Sequence, residues 1–211
     1  MSKRGEIDVV YVAGPPGAGK TSVTEAYQAQ HPYTEQFGTG ELVWGIRDGD
    51  VDSRYASMIR EAAQNGTSIS GALFSRVVHE RIMRVNDSAE TVMVTGFPHD
   101  YSDWKIFNET VADSGVSAIG SVFLDAKLAT SITRMQERDI EKGVNPDTVN
   151  SLEELSLYEK RYYDLMGRLA IRLDCYKQVG LDIVTISAEN SRDQVLSEFD
   201  ETIRTFKEGE V

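Results

Sequence analysis

Gly14-Pro15-Pro16-Gly17-Ala18-Gly19-Lys20-Thr21 is the stretch that decides the fold. It fits G-x-x-x-x-G-K-[ST], a pattern that carries meaning only between a strand and a helix. Both neighbours are present. Asp8-Val9-Val10-Tyr11-Val12-Ala13 upstream is an apolar, β-branched run of strand length, and Thr21 to Gln30 downstream reads as a helix. Gly14, Gly17 and Gly19 let successive backbone amides point inward and form a concave nest for phosphate oxygens. The helix adds the positive end of its dipole. Lys20 supplies a mobile cation for β and γ phosphates, and the Thr21 hydroxyl can ligate Mg²⁺. The competing reading, a glycine-rich turn ahead of a lysine, leaves the flanking strand and helix without a reason.

Working outward, strand-length apolar runs alternate with stretches of helical period, the pattern of a parallel α/β sheet. The strands are expected at Asp8–Ala13, Val92–Thr95, Ile119–Leu124 and Asp182–Ile186, with a weaker one ending at Phe37. Helices are expected at Thr21–Gln30, Ser70–Val85, Ser102–Ala112 and Arg192–Lys207. The longest starts at the Ser151/Glu154 capping box and is closed by Gly180. On it Leu152, Leu155, Tyr158, Tyr162, Leu165, Leu169, Leu173 and Tyr176 recur at spacings of three and four. Polar insertions lie near 45–68 and 139–150. The chain reads as a single domain over 1–211: a three-layer α/β fold of the P-loop NTPase kind, with a five-stranded parallel sheet and helices on both faces.

Composition narrows the function classes. The 211 residues carry 22 Lys and Arg against 34 Asp and Glu, a net charge of -12, which argues against a nucleic-acid partner. Cys175 is the single cysteine, so intrachain disulfides and Cys-rich zinc sites are excluded. No window approaches 18 apolar residues, and the short run from Ile7 is no signal sequence, so no membrane is implied and a cytoplasmic location is expected.

Several further segments, taken in order, resemble the adenylate kinase and nucleoside monophosphate kinase family. Gly14 to Lys20 is that family's wording of the loop. Phe37-Gly38-Thr39-Gly40-Glu41-Leu42 is similar to its "STGDLL", Gly66-Thr67-Ser68-Ile69 with His79-Glu80-Arg81-Ile82 to its "GxLV…ERI", and Thr95-Gly96-Phe97-Pro98-His99 to its "DGFPR". Val122-Phe123-Leu124-Asp125-Ala126 followed by Arg134 and Arg138 matches the run into its lid, and Ile186-Ser187-Ala188 the end of its last strand. The resemblance implies ATP- and Mg²⁺-dependent phosphoryl transfer to a small acceptor, an acceptor-binding insertion at 45–68, a lid at 139–160, and a monomer. It implies a donor site of Gly14, Pro15, Pro16, Gly17, Ala18, Gly19, Lys20, Thr21, Ser22, Arg134, Arg138 and Ala188. Lys20, Arg138 and Arg161 would be catalytic, and Thr21 the metal ligand. Thr39, Gly40, Ile69, Gly96, His99, Asp103, Arg161, Arg168 and Arg172 would surround the acceptor.

The acceptor half departs from the family. Trp44 and His99 stand where arginines would meet the acceptor phosphate, Asp103 where a glutamine would read an adenine, and Thr95 where an aspartate would help hold Mg²⁺. Lys142 is the only basic residue between Arg138 and Lys160, so the lid arginine has no counterpart. Arg161, Arg168 and Arg172 lie within about 40° of one another on an α-helix and are candidates to replace the missing cations; solvated partners of Glu154 and Asp164 are the alternative. Arg134 and Arg138 share a helix face, either toward phosphates or toward Glu137 and Glu141. His99 is open between contact with an acceptor phosphate, a base, and a cap for the next helix. Trp44 is expected to pack, with stacking on a base as the alternative. Asp48, Asp50, Asp52 and Asp103 either solvate the insertion or would meet a cationic or polyol acceptor. Three functions follow: a nucleoside monophosphate kinase of altered specificity, a kinase of a non-phosphorylated metabolite or nucleoside, or a weakly or non-catalytic nucleotide-binding module.

Overall fold

The computed structural model describes residues 6–85, 88–112 and 114–209. Five strands, β1 (Ile7–Ala13), β2 (Thr34–Gly38), β3 (Thr91–Thr95), β4 (Val116–Asp125) and β5 (Ile183–Ser187), form one parallel sheet in the order β2-β3-β1-β4-β5. The apolar, β-branched character of β1 and β3 follows from burial on both faces, as central strands of a parallel sheet require. Val10 and Val12 pack toward α1 (Lys20–Gln30) and α9 (Arg192–Glu208). Val9, Tyr11 and Ala13 face the opposite layer, where α4 (Gly71–Met83), α5 (Tyr101–Val111) and α8 (Leu152–Gln178) pack. The expected three-layer α/β architecture is therefore the observed one, and it is consistent with a P-loop kinase.

Topology positions the site. The chain leaves β1 for α1 on one face and leaves β3 for α5 on the other, so the adjacent ends of these strands form a switch point with a crevice between their loops. An aromatic cluster underpins the β3 loop: Phe97 lies 6.1 Å from Tyr11 and 5.0 Å from Phe107 between ring centroids, and Tyr176 of α8 stacks on Tyr11 at 5.2 Å.

Several local expectations need correction. β4 begins at Val116 rather than Ile119. The 45–68 insertion contains the end of α2 (Thr39–Asp48) and all of α3 (Ala56–Gln64), a short helix that buries only Ile59. The insertion is tied down by Glu80 of α4, a buried carboxylate that accepts from the Ser53 hydroxyl and from the backbone and guanidinium of Arg54. α5 is capped by Asp100, whose carboxylate accepts from the amides of Ser102 and Asp103; His99 does not cap it. The 139–160 segment is compact. α6 (Leu128–Glu141) turns through the four-residue α7 (Pro146–Val149) into α8 over a small core of Met135, Val149 and Tyr158. Leu152, which starts the apolar spacing of α8, is 84% exposed, so the buried stripe of that helix begins only at Tyr158. Among the described residues no helix is long and apolar enough to cross a membrane.

Candidate functional site

The loop after β1 is shaped by close approach as much as by turning. A Cβ on Gly17, at φ 74°, would lie 2.7 Å from the Ser131 carbonyl oxygen, and one on Gly14 would lie 2.6 Å from that of Leu124. The loop is thus pressed against β4 and α6, and only glycine fits at both points. Gly19, at φ 86°, precedes α1 without a side-chain cap, and the first turn of α1 carries no acidic residue. Its amide ends are left for an anion.

Lys20 reaches back over the loop, its Nζ donating to the carbonyls of Gly14 at 2.9 Å and Pro15 at 2.8 Å. Burial, followed by the Arg172 and Arg161 guanidiniums, brings its pKa down to about 8. A cation in this setting is short of negative charge. A polyphosphate would supply it.

Lys20, Thr21, Ser22 and loop residues Gly14, Pro16, Gly17 and Gly19 form one wall of a cavity of about 580 Å³. α6 contributes Arg134, Arg138 and Glu141, the β3 loop Gly96 and His99, and α2 Thr39. Opposite stands α8 with Arg161, Leu165, Arg168 and Arg172. Six cationic side chains face this space against one carboxylate, Glu141. That imbalance, in a chain of net charge -12, marks a site for more than one anionic group.

The arginines divide by partner. Arg134 donates to the carbonyls of Gly17 at 3.2 Å and Ala188 at 2.8 Å, joining the loop to the end of β5. Arg138 pairs with Asp139 at 3.3 Å, and Asp139 also accepts from the Tyr158 hydroxyl at 2.8 Å. Arg172 is 8% exposed and donates to the carbonyls of Pro98 at 2.7 Å and Gly96 at 3.0 Å, so it tethers the β3 loop to α8. Neither Arg161 nor Arg168 has a carboxylate within 4.0 Å among the described residues. Glu154 and Asp164 leave both guanidiniums free to meet a ligand.

His99 stacks on Phe74 with centroids 4.1 Å apart. Burial and then Arg172 and Arg168 push its pKa down to about 4, so at neutral pH the imidazole is uncharged. In the free protein this position presents a neutral imidazole to the cavity.

Six of the expected site residues lie outside the wall of this cavity. Pro15 contributes its carbonyl to Lys20 rather than a cavity surface. Ile69 packs against the core. Asp103 is 1% exposed, accepts from the His99 amide at 3.1 Å, and lies so close to α4 that a Cβ on Gly71 would sit 2.1 Å from its Oδ1. Gly40 lines an adjoining groove. Ala18 and Ala188 line a second cavity of about 240 Å³, which shares Gly19, Ser22 and Arg134 with the first. Trp44 does not pack; it is 60% exposed. Asp48, Asp50 and Asp52 are exposed and line neither cavity.

Sequence reading missed Glu141, although it follows Arg134 by seven residues and shares its helix face. It also missed Asn190, Arg192 and Val195 at the second cavity, for which no local pattern exists. Among the described residues no group of three His, Cys, Asp or Glu could hold a metal. The hydroxyl donors beside the loop in the cavity wall are those of Thr21 and Ser22. This set fits an ion that shares phosphate ligands and keeps its waters, as Mg²⁺ does, rather than one caged by protein.

A glycine loop at the switch point of a parallel α/β sheet, faced by free arginines, has the geometry and charge of a site suited to phosphate groups. Comparison with known proteins agrees in kind. No family model matches the chain. It is 26% identical to the UMP-CMP kinase of Xenopus tropicalis over 194 residues, 90% of this chain and 93% of that protein. To the UMP-CMP kinase of Xenopus laevis it is 27% identical over 194 residues, 90% of this chain and 94% of that protein. The similarity is low in identity and runs almost end to end in both proteins.

Proposed function

We propose that this chain transfers the terminal phosphoryl group of ATP to a nucleoside monophosphate. One observation carries the reading: Arg161 and Arg168, free of carboxylate partners, face the phosphate loop across the cavity. A donor triphosphate accounts for the loop and Lys20. Two further guanidiniums opposite it call for an acceptor with its own phosphate. The names of the two similar proteins make UMP and CMP the first acceptors to try.

In this reading the loop amides and Lys20 hold the β and γ phosphates, and Arg134 with the residues from Ser187 to Glu189 frames the adenine. Thr21 would hold Mg²⁺, which when bound would neutralise charge on the bridging phosphate oxygens. The acceptor phosphate oxygen forms a bond to the γ phosphorus as the bond from that phosphorus to the β–γ bridging oxygen breaks, and ADP leaves. Lys20, Arg138 and Arg161 meet the charge spread over the transferring group. The 45–68 insertion and the 139–160 lid would exclude water from it.

ADP formation against monophosphates, nucleosides and other phosphorylatable metabolites tests the proposal. Turnover of monophosphates is expected; turnover of neutral acceptors alone, or ATP binding without turnover of anything, would overturn it. Arg161→Ala and Arg168→Ala should each raise the KM for the monophosphate roughly ten- to a hundredfold while leaving the KM for ATP much closer to its original value. A KM effect confined to ATP would place these arginines on the donor instead.

Lys20 gives a test that does not depend on turnover. Its pKa near 8 in the free protein should rise when a polyanion relieves the repulsion from Arg172 and Arg161. Nucleotide binding at pH 8 should then take up about half a proton, and affinity should fall as pH rises above 8. Calorimetric titrations in buffers of different ionisation enthalpy read this directly, and proton release would contradict it.

A further inference from the structure

Asp103, which the family resemblance would place against the acceptor base, is sealed beneath Gly71 and behind the His99 amide. A planar acceptor ring must find another wall. α2 offers one. Gly40 and Trp44 are four residues apart on that helix and share a face. They line a groove of about 510 Å³ against α8. Arg161, Leu165 and Arg168 line both this groove and the main cavity, so the groove is a side arm of the site. An exposed tryptophan is ordinary by itself. Here it stands in an arm that carries two free guanidiniums, with Lys160 and Leu157 along it and Asp164 as its single carboxylate, so cations outnumber anions three to one. An indole face, aliphatic side chains and a surplus of cations complement a flat aromatic ring bearing an anion.

We infer that Trp44 forms the stacking wall for the heteroaromatic ring of the acceptor, whose phosphate is held by Arg161 and Arg168. The inference rests on the proposed monophosphate acceptor for its substrate class, but the stacking wall can be tested without turnover. Trp44 thereby sets specificity for an aromatic acceptor at the position where the arginine of the related kinases is missing.

Tryptophan fluorescence is the direct probe, since Trp104, the other indole, is 5% exposed. UMP, CMP and uridine should each quench emission and shield it from acrylamide, and ribose 5-phosphate should not. The ligand-dependent change should vanish in Trp44→Leu. In turnover, Trp44→Leu should raise the KM for the monophosphate roughly ten- to a hundredfold, the scale of one base–aromatic stack, with kcat reduced less than about threefold. Trp44→Phe should recover most of the KM. Equal quenching by ribose 5-phosphate, or an unchanged KM in Trp44→Leu with monophosphates still phosphorylated, would overturn the stacking role and leave the proposed function standing. Quenching by uridine that Trp44→Leu abolishes, with no monophosphate phosphorylated, would overturn the proposed function and leave the aromatic wall standing.

Discussion

Lys20→Ala should lower kcat/KM for phosphoryl transfer by about 10²–10³-fold, equivalent to roughly 3–4 kcal/mol of transition-state stabilisation. The loss should come without a loss of fold. In the free protein this ammonium is desolvated and repelled by Arg172 and Arg161, and its folded pKa of about 8 lies below the ordinary lysine value of 10.5. Between those two values the unfolded chain binds more protons than the folded one. The charged Lys20 therefore opposes folding at neutral pH, and that opposition is relieved as pH rises through 8. Removing the charge should leave the melting temperature unchanged or slightly higher, since water in the open cavity can satisfy the Gly14 and Pro15 carbonyls. Steady-state ADP formation and a thermal melt on the same sample decide it. Activity within threefold of the original would refute the assignment of Lys20; loss of activity with a melting temperature more than 10 °C lower would mean unfolding instead.

The second large effect is opposite in kind. Arg172→Ala should destabilise the protein by about 2–3 kcal/mol, a fall of roughly 4–12 °C in melting temperature. Arg172 donates to the Gly96 and Pro98 carbonyls while the Tyr176 hydroxyl donates to that of Phe97, so α8 holds three successive carbonyls of the β3 loop. Removing the guanidinium strands the buried Pro98 acceptor and leaves the part-buried Gly96 carbonyl without its protein donor. The gain from no longer desolvating the cation, seen in the downward shift of its pKa through burial, offsets only part of this. The same loop carries Gly96 and His99 to the cavity, so the acceptor KM should rise as well. Arg172→Lys should recover little, because a point charge on a flexible stem cannot span both carbonyls. An unchanged melting temperature for Arg172→Ala would show that aromatic packing and the Tyr176 hydroxyl hold the loop without the guanidinium.

These two cations show how far the chain could be read without its structure. The setting of Lys20 was legible because it is local: a glycine loop between strand and helix brings lysine, amides and helix end together over eight residues. Arg172 was legible only as a member of a stripe. Helical spacing puts Arg161, Arg168 and Arg172 on a common face, but it does not say that the last is sunk against a loop some 75 residues away while the first two remain free. Trp44 and Asp103 fail for the same reason. Size suggested that the tryptophan would pack, and the family resemblance put the aspartate beside the acceptor, whereas the placement of α2 and α4 exposes the one and buries the other.

Local chemistry and periodicity by themselves determined the parallel α/β sheet, its strand positions to within a few residues and the phosphate cradle, because backbone geometry and the period of burial act over a few residues. Tertiary structure alone decided which cations stay unpaired, which site residues reach the cavity and where a groove opens beside it. Those outcomes depend on how helices distant in sequence dock on the sheet, and such docking is set by summed packing across the whole core rather than by any one segment.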